Sequence, residues 1–137
     1  MKVVLDTNVL VSGIFFSGPP AEILPAWSQG RFRLVVSSEI FDEYARVATE
    51  LSEKFPSIDI RRILELVIMN SEASSPRPLA QKVCEDPHDD KIFAVAIESG
   101  AKIIVSGDKH LLKVSNYEDV SVLTPRQFVV KHLSKRP

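Results

Sequence analysis

Lys2-Val3-Val4-Leu5-Asp6-Thr7-Asn8 opens the chain with a run of apolar, mostly branched side chains that stops abruptly at an acid. The run is below helical length and has no polar alternation, so it reads as a strand covered on both faces. Comparable runs lie at residues 32–36, 102–106 and 120–123, and the stretches between them carry helical periodicity. Strands alternating with helices over short connections predict an α/β fold of three layers, α/β/α, around a mostly parallel sheet.

The helices are legible from their ends. A short apolar helix is expected after Asn8, and a second over 20–29, stopped by Gly30. Ser37 or Ser38 can cap a third, with Glu39 and Glu43 in its first turns and Ile40, Phe41, Tyr44, Val47, Ala48 and Leu51 as its apolar stripe. Phe55-Pro56 ends it, and a fourth helix over 58–70 forms a hairpin with it. A fifth spans 89–99 and ends at Gly100, while Thr124-Pro125-Arg126-Gln127 is a capping box with proline at the first helical position. Residues 17–20 and 74–78 read as loops; the basic cluster Lys109, His110 and Lys113 reads as a solvated loop in preference to a holder of RNA phosphates, and the tail from Lys131 to Arg136 as one that frays or touches RNA. The fourth helix has more apolar residues (Ile63, Leu64, Leu66, Val67, Ile68) than one face needs, which suits either a surface for a second copy or another partner, or core packing.

Composition narrows the class. The chain has 137 residues, 45% hydrophobic and 26% charged; a single domain over 1–137 is expected, able to hide roughly 70% of its unfolded surface. Cys84 is the one cysteine, so neither an internal disulfide nor a Cys/His zinc site is available. The opening apolar run is too short for a signal-peptide core, and no apolar run reaches membrane-spanning length, so a soluble cytoplasmic protein is expected. Lys and Arg number 17 against 18 Asp and Glu, a net charge of −1, which leaves no bulk electrostatic footprint for nucleic acid. Any nucleic-acid chemistry must come from a site.

Acids supply that site. Open parallel sheets offer their crevice beyond the carboxyl ends of the strands. Asp6 follows the first strand, Ser37 and Ser38 follow the second and lead to Glu43, and Ser106-Gly107-Asp108 follows the strand at 102–106. Asp86-Pro87-His88-Asp89-Asp90 opens the fifth helix. Counting from Asp89, the residues Ile92, Phe93, Ala96 and Ile97 share its helical face, so Asp89 is directed to the sheet and Asp90 away from it, beside Lys91. Glu43 flanks its own helix's apolar stripe, whereas Asp42 is on the solvent side. Asp6, Glu43, Asp89 and Asp108 are therefore the expected catalytic and metal-ligating set. Crowded carboxylates repel one another and call for a cation, and oxygen ligands suit Mg²⁺ or Mn²⁺.

These same motifs carry a resemblance. Val3-Val4-Leu5-Asp6-Thr7-Asn8-Val9-Leu10, the helix start Ser38-Glu39-Ile40-Phe41-Asp42-Glu43-Tyr44, Asp86-Pro87-His88-Asp89-Asp90-Lys91 and Val105-Ser106-Gly107-Asp108 resemble the PIN-domain family over nearly the whole chain. The chain is most similar to the small VapC-like ribonucleases that act as toxins of toxin–antitoxin systems. The resemblance implies a five-stranded parallel sheet and a Mg²⁺- or Mn²⁺-dependent ribonuclease with RNA as substrate and a cognate antitoxin protein as partner. It assigns Asp6, Glu43, Asp89 and Asp108 to the metal site and Asn8 and Ser106 to its support, serine standing where threonine is more usual. Asp90 occupies a position where this branch often has asparagine, and Asp86 is a nearby acid.

Duller roles exist for each residue. Asp6, Asp89 and Asp108 are competent caps or loop acids, and Glu43 is a competent first-turn partner of the helix dipole. Their convergence favours the site. Cys84, with no histidine evidently paired to it, reads as an inert small hydrophobe, and Trp27, Phe32 and Phe41 read as core. The competing function is a catalytically silent PIN-fold module that acts by dimerisation or protein contact. Haloacid-dehalogenase phosphatases are disfavoured because Asp6-Thr7-Asn8 lacks their second aspartate, and no convincing receiver-domain set is present.

Overall fold

Five strands, β1 (Lys2–Leu5), β2 (Arg33–Ser37), β3 (Glu72–Ser74), β4 (Ile103–Val105) and β5 (Ser121–Leu123), form one sheet in the order β3-β2-β1-β4-β5. Every strand pair is parallel, so the expected three-layer α/β architecture holds. The computed structural model describes residues 1–79, 81–84 and 86–133, with backbone alone at 88. Of the basic tail expected to fray, Lys131 to Leu133 instead form a helical turn with Leu133 buried in the core, and 134–137 lie outside the described residues.

Seven α-helices occur among these residues: α1 (Thr7–Phe15), α2 (Pro19–Ser28), α3 (Ser38–Ser52), α4 (Ile60–Asn70), α5 (Pro87–Ser99), α6 (Lys109–Leu112) and α7 (Pro125–Phe128), the last running into a π-helical turn, Val129–Leu133. α5 lies across β3, β2, β1 and β4. α1 packs on α2 and α3, and α2 on α7. Parallel crossovers are right-handed almost without exception, which, with this strand order, puts these two groups on opposite faces of the sheet. The central strands are buried on both sides: Val3, Val4, Leu34, Val35, Ile104 and Val105 are completely inaccessible. Burying such side chains contributes roughly 1.5–3 kcal/mol each.

Several boundaries moved for identifiable reasons. α1 begins at Thr7 and not beyond Asn8, because Asp6 caps it by accepting from the Thr7 N–H. α5 begins at Pro87: the Asp86 carbonyl accepts from the Asp89 and Asp90 N–H groups, and proline suits the first helical position. Asp89 is consequently inside the first turn and is not a cap. α4 starts at Ile60, capped by the Asp59 side chain, which accepts from the Arg62 N–H. Lys109 to Leu112 form the short helix α6 where a loop was expected. Gly30 and Gly100 end α2 and α5 with φ of 76° and 78°, a left-handed conformation that costs glycine least.

β3 is the strand that periodicity does not mark, since Ser74 reads as part of a loop. Glu72 sits beside the amino ends of β1 and β2, 3.1 Å from Lys2 Nζ and 3.4 Å from Arg33. Lys2 foremost, then Arg33, holds the Glu72 carboxyl below its ordinary pKa. On α4 only Val67 is buried, while Leu66 is 42%, Ile68 61% and Met69 78% exposed. The apolar excess of that helix therefore faces outward. No single helix among the described residues is long and apolar enough to cross a membrane.

Candidate active site

β1 has β2 on one side and β4 on the other, so the chain order reverses between β1 and β4. A parallel sheet opens its ligand crevice at such a point. Leu5 and Val105 are partners in the register, which brings the residues after them, Asp6 and Ser106, face to face. The completely buried Ser106 donates its hydroxyl to Asp6 Oδ2 at 2.7 Å, and its Oγ accepts from the Asp108 N–H at 3.0 Å. Asp6 Oδ1 accepts from the Thr7 N–H at 2.8 Å. That places the carboxylate at the positive end of α1, which favours its charge. One serine hydroxyl thus ties the first acid to the segment carrying the last.

Glu43 arrives from the second turn of α3, a helix aimed by Ser37, whose Oγ accepts from the Ile40 N–H at 3.1 Å. Glu43 Oε2 is buried. Tyr44, next in sequence and completely buried, donates its hydroxyl to the Leu5 carbonyl. Burial, and then the charges of Asp6 and Glu43, holds the Tyr44 phenol protonated far above its ordinary range. Both carboxylates are therefore felt at one phenol at the end of β1. Asp42 is exposed, as helical phase predicts.

Asp89 is 3% exposed in the first turn of α5. Asp108 caps α6, its Oδ1 accepting from the His110 N–H at 2.8 Å. Both are sensed by Cys84, whose thiol is pushed up to about 12 by burial first, then by its hydrogen bond to Asp90 and by the charges of Asp90, Asp89 and Asp108. The four predicted acids therefore fall into two pairs, Asp6 with Glu43 around Tyr44 and Asp89 with Asp108 around Cys84.

The supporting residues separate. Ser106 is central to the site, whereas Asn8 is exposed in the first turn of α1 and Asp86 is exposed at the start of α5. Asp90 does not simply point away beside Lys91. Its Oδ1 accepts from the Cys84 N–H at 2.6 Å, and its two carboxylate oxygens lie 3.2–3.3 Å from the Val83 N–H, anchoring the preceding segment. Lys91 pairs instead with Glu39 at 2.9 Å. Sequence reasoning took Tyr44 for core alone and Cys84 for a bystander. Adjacency to Glu43 was the available signal for the tyrosine, and nothing local marked the cysteine.

Among the described residues no three His, Cys, Asp or Glu side chains close into a cage around a metal. The predicted donors are nevertheless all carboxylates, the oxygen chemistry that a hard divalent ion takes. Mg²⁺ characteristically uses one or two carboxylates and fills its remaining positions with water and substrate phosphate.

The Cys84 environment gives a direct test in EDTA. A thiol raised from 9.0 to about 12 should be alkylated at pH 8 about a thousandfold more slowly in the native than in the denatured chain. Its stabilising contribution is complete below the unfolded pKa and is lost as pH rises towards about 12. Comparing urea midpoints of wild type and Cys84→Ala from pH 8 to 11 checks the sign: the wild type should lose more stability.

A family model described as "PIN domain" matches residues 2–110. The chain is also 30% identical over 141 aligned positions to the uncharacterized protein MJ1680 of Methanocaldococcus jannaschii, covering 94% of this chain and 90% of that one.

Proposed function

The chain belongs to the PIN-domain family, whose members are generally nucleases, and from that premise we propose a Mg²⁺- or Mn²⁺-dependent endoribonuclease, the toxin of a type II toxin–antitoxin system. The observation that carries this reading is the Ser106 bridge between Asp6 and the Asp108 segment at the switch point of the sheet. Asp6, Glu43, Asp89 and Asp108 would hold the cation. A bound divalent ion supplies Lewis acidity, lowering the pKa of a water and offsetting charge that develops on the phosphate.

The chain's own residues do the rest. Thr7 and Ser106 orient the Asp6 carboxylate, each by a hydrogen bond, so its direction is preset before substrate arrives. Glu43 orients the attacking water in line with the scissile phosphate and accepts its proton. Asn8, exposed beside Asp6, offers its amide to a phosphate oxygen. The products are a 5′-phosphate and a 3′-hydroxyl.

The exposed Leu66, Ile68 and Met69 support a homodimer formed through α4. The toxin role adds a cognate antitoxin protein and a cytoplasmic site of action. The decisive experiment incubates purified protein with unstructured RNA and transfer RNA in Mg²⁺, Mn²⁺ or EDTA. Cleavage with either ion and none in EDTA is the expected result. A folded protein that cleaves nothing with any ion would instead favour the silent binding module.

A further inference from the structure

The acidic rim has a neighbour on its β2 side. A cavity of about 540 Å³ lies between residues 76–79, 81 and 82 on one side and α5 on the other, within the range of roughly 300–1,000 Å³ typical of small-ligand sites. Pro76, Pro78 and Leu79 form one wall, and Pro87, Ala94 and Val95 the other. The cavity also touches Asp90, next to Asp89, and Ser37, the cap of the helix that carries Glu43. It is thus continuous with the elements that position the catalytic acids.

Charge distinguishes the lip of this cavity from its interior. Asp90 is engaged by the Val83 and Cys84 N–H groups, and Lys91 is paired with Glu39. Arg77 and Lys82 also line the cavity, are exposed, and form no ion pair among the described residues. An apolar slot with uncommitted cations, next to the helix that carries the predicted acid Asp89, matches a nucleotide: the walls take the base and the cations take flanking phosphates. A base can enter such a slot only if it is unpaired, because a paired base must first leave its stack.

We infer that this cavity is a subsite for one unpaired base of an RNA strand adjoining the scissile phosphate, with Arg77 and Lys82 holding the strand's backbone. Asp90 is its positioning residue, since its carboxylate fixes Val83 and Cys84 and so holds Lys82 near α5. The inference takes its ligand class from the nuclease reading and its location from the cavity.

The test titrates the full chain in Mg²⁺ with a labelled, unstructured RNA hexamer whose phosphorothioate linkages resist hydrolysis, and with the same sequence as a duplex, read by anisotropy. The single strand should bind at least about tenfold more tightly than the duplex. Ala94→Leu, which fills the slot, should weaken single-strand binding on the order of tenfold and raise KM more than it lowers kcat. The double variant Arg77→Gln/Lys82→Gln, at exposed positions where folding is not at stake, should reduce the slope of log affinity against log salt by about 1.4. Equal binding of duplex and single strand, no RNA binding, or binding indifferent to both variants would overturn the inference. Cleavage that persists while binding ignores both variants removes the subsite and leaves the nuclease. Variant-sensitive binding without cleavage in any metal does the reverse.

Discussion

Asp89→Asn is expected to remove metal-dependent RNA cleavage, lowering kcat on the order of 10³-fold, with a melting temperature equal to or above that of the wild type. Two features of the site set this expectation. Asp89 is 3% exposed in the first turn of α5, so its charge acts where water screens little and a lost cation ligand has no ready substitute. The same charge is felt at Cys84 together with those of Asp90 and Asp108. Mutual repulsion in that cluster is relieved when asparagine, of nearly the same shape, replaces the carboxylate. Cleavage assays in Mg²⁺ and Mn²⁺ should accompany thermal unfolding of both proteins. Activity within about threefold of wild type would take Asp89 out of the site, and a folded but inactive variant would place it there.

Tyr44→Phe should have the largest effect on stability, a loss of about 1–3 kcal/mol and a melting temperature lower by roughly 3–10 °C. The substitution keeps the ring and removes one hydroxyl. That hydroxyl donates to the Leu5 carbonyl inside a completely buried environment, so its loss leaves a buried acceptor without this donor. Leu5 precedes Asp6, and Glu43 precedes Tyr44. The hydrogen bond therefore couples the two acids of the β1 pole, and kcat should fall by roughly tenfold as their relative placement loosens. Unchanged stability and activity would mean that α3 is seated by its packing alone.

Local sequence was sufficient wherever a residue's role is decided by its immediate neighbours. The Thr124 capping box is present in full, with Thr124 Oγ1 accepting from the Gln127 N–H at 3.1 Å and Gln127 Oε1 accepting from the Thr124 N–H at 2.9 Å. Gly30 and Gly100 end their helices as expected. The helical phase that buried Asp89 and exposed Asp42 also holds, although Ile97, assigned to the same face as Asp89, is 37% exposed. Trp27 and Phe41 pack against the core, and Phe32 lies within it.

Long-range relations stayed out of reach. Glu72-Ala73-Ser74 has no strand character of its own and becomes β3 because β2 offers it a parallel edge. Asp90 could be assigned a direction by phase, yet its partners, the Val83 and Cys84 N–H groups, depend on how the preceding segment folds back. The outward apolar residues of α4 were visible as an excess, but only packing shows which of them remain exposed.

Four of the five strands, most of the helices and the capping box at Thr124 were written in the chain, because periodicity and capping are properties of a few consecutive residues. The strand order that puts β1 beside β4, the Ser106 to Asp6 hydrogen bond across that junction, the Tyr44 link to Leu5 and the cavity beside α5 were decided by tertiary structure. Each needs residues distant in sequence to meet, and that meeting is set by which apolar faces bury one another, a choice that no short window of sequence contains.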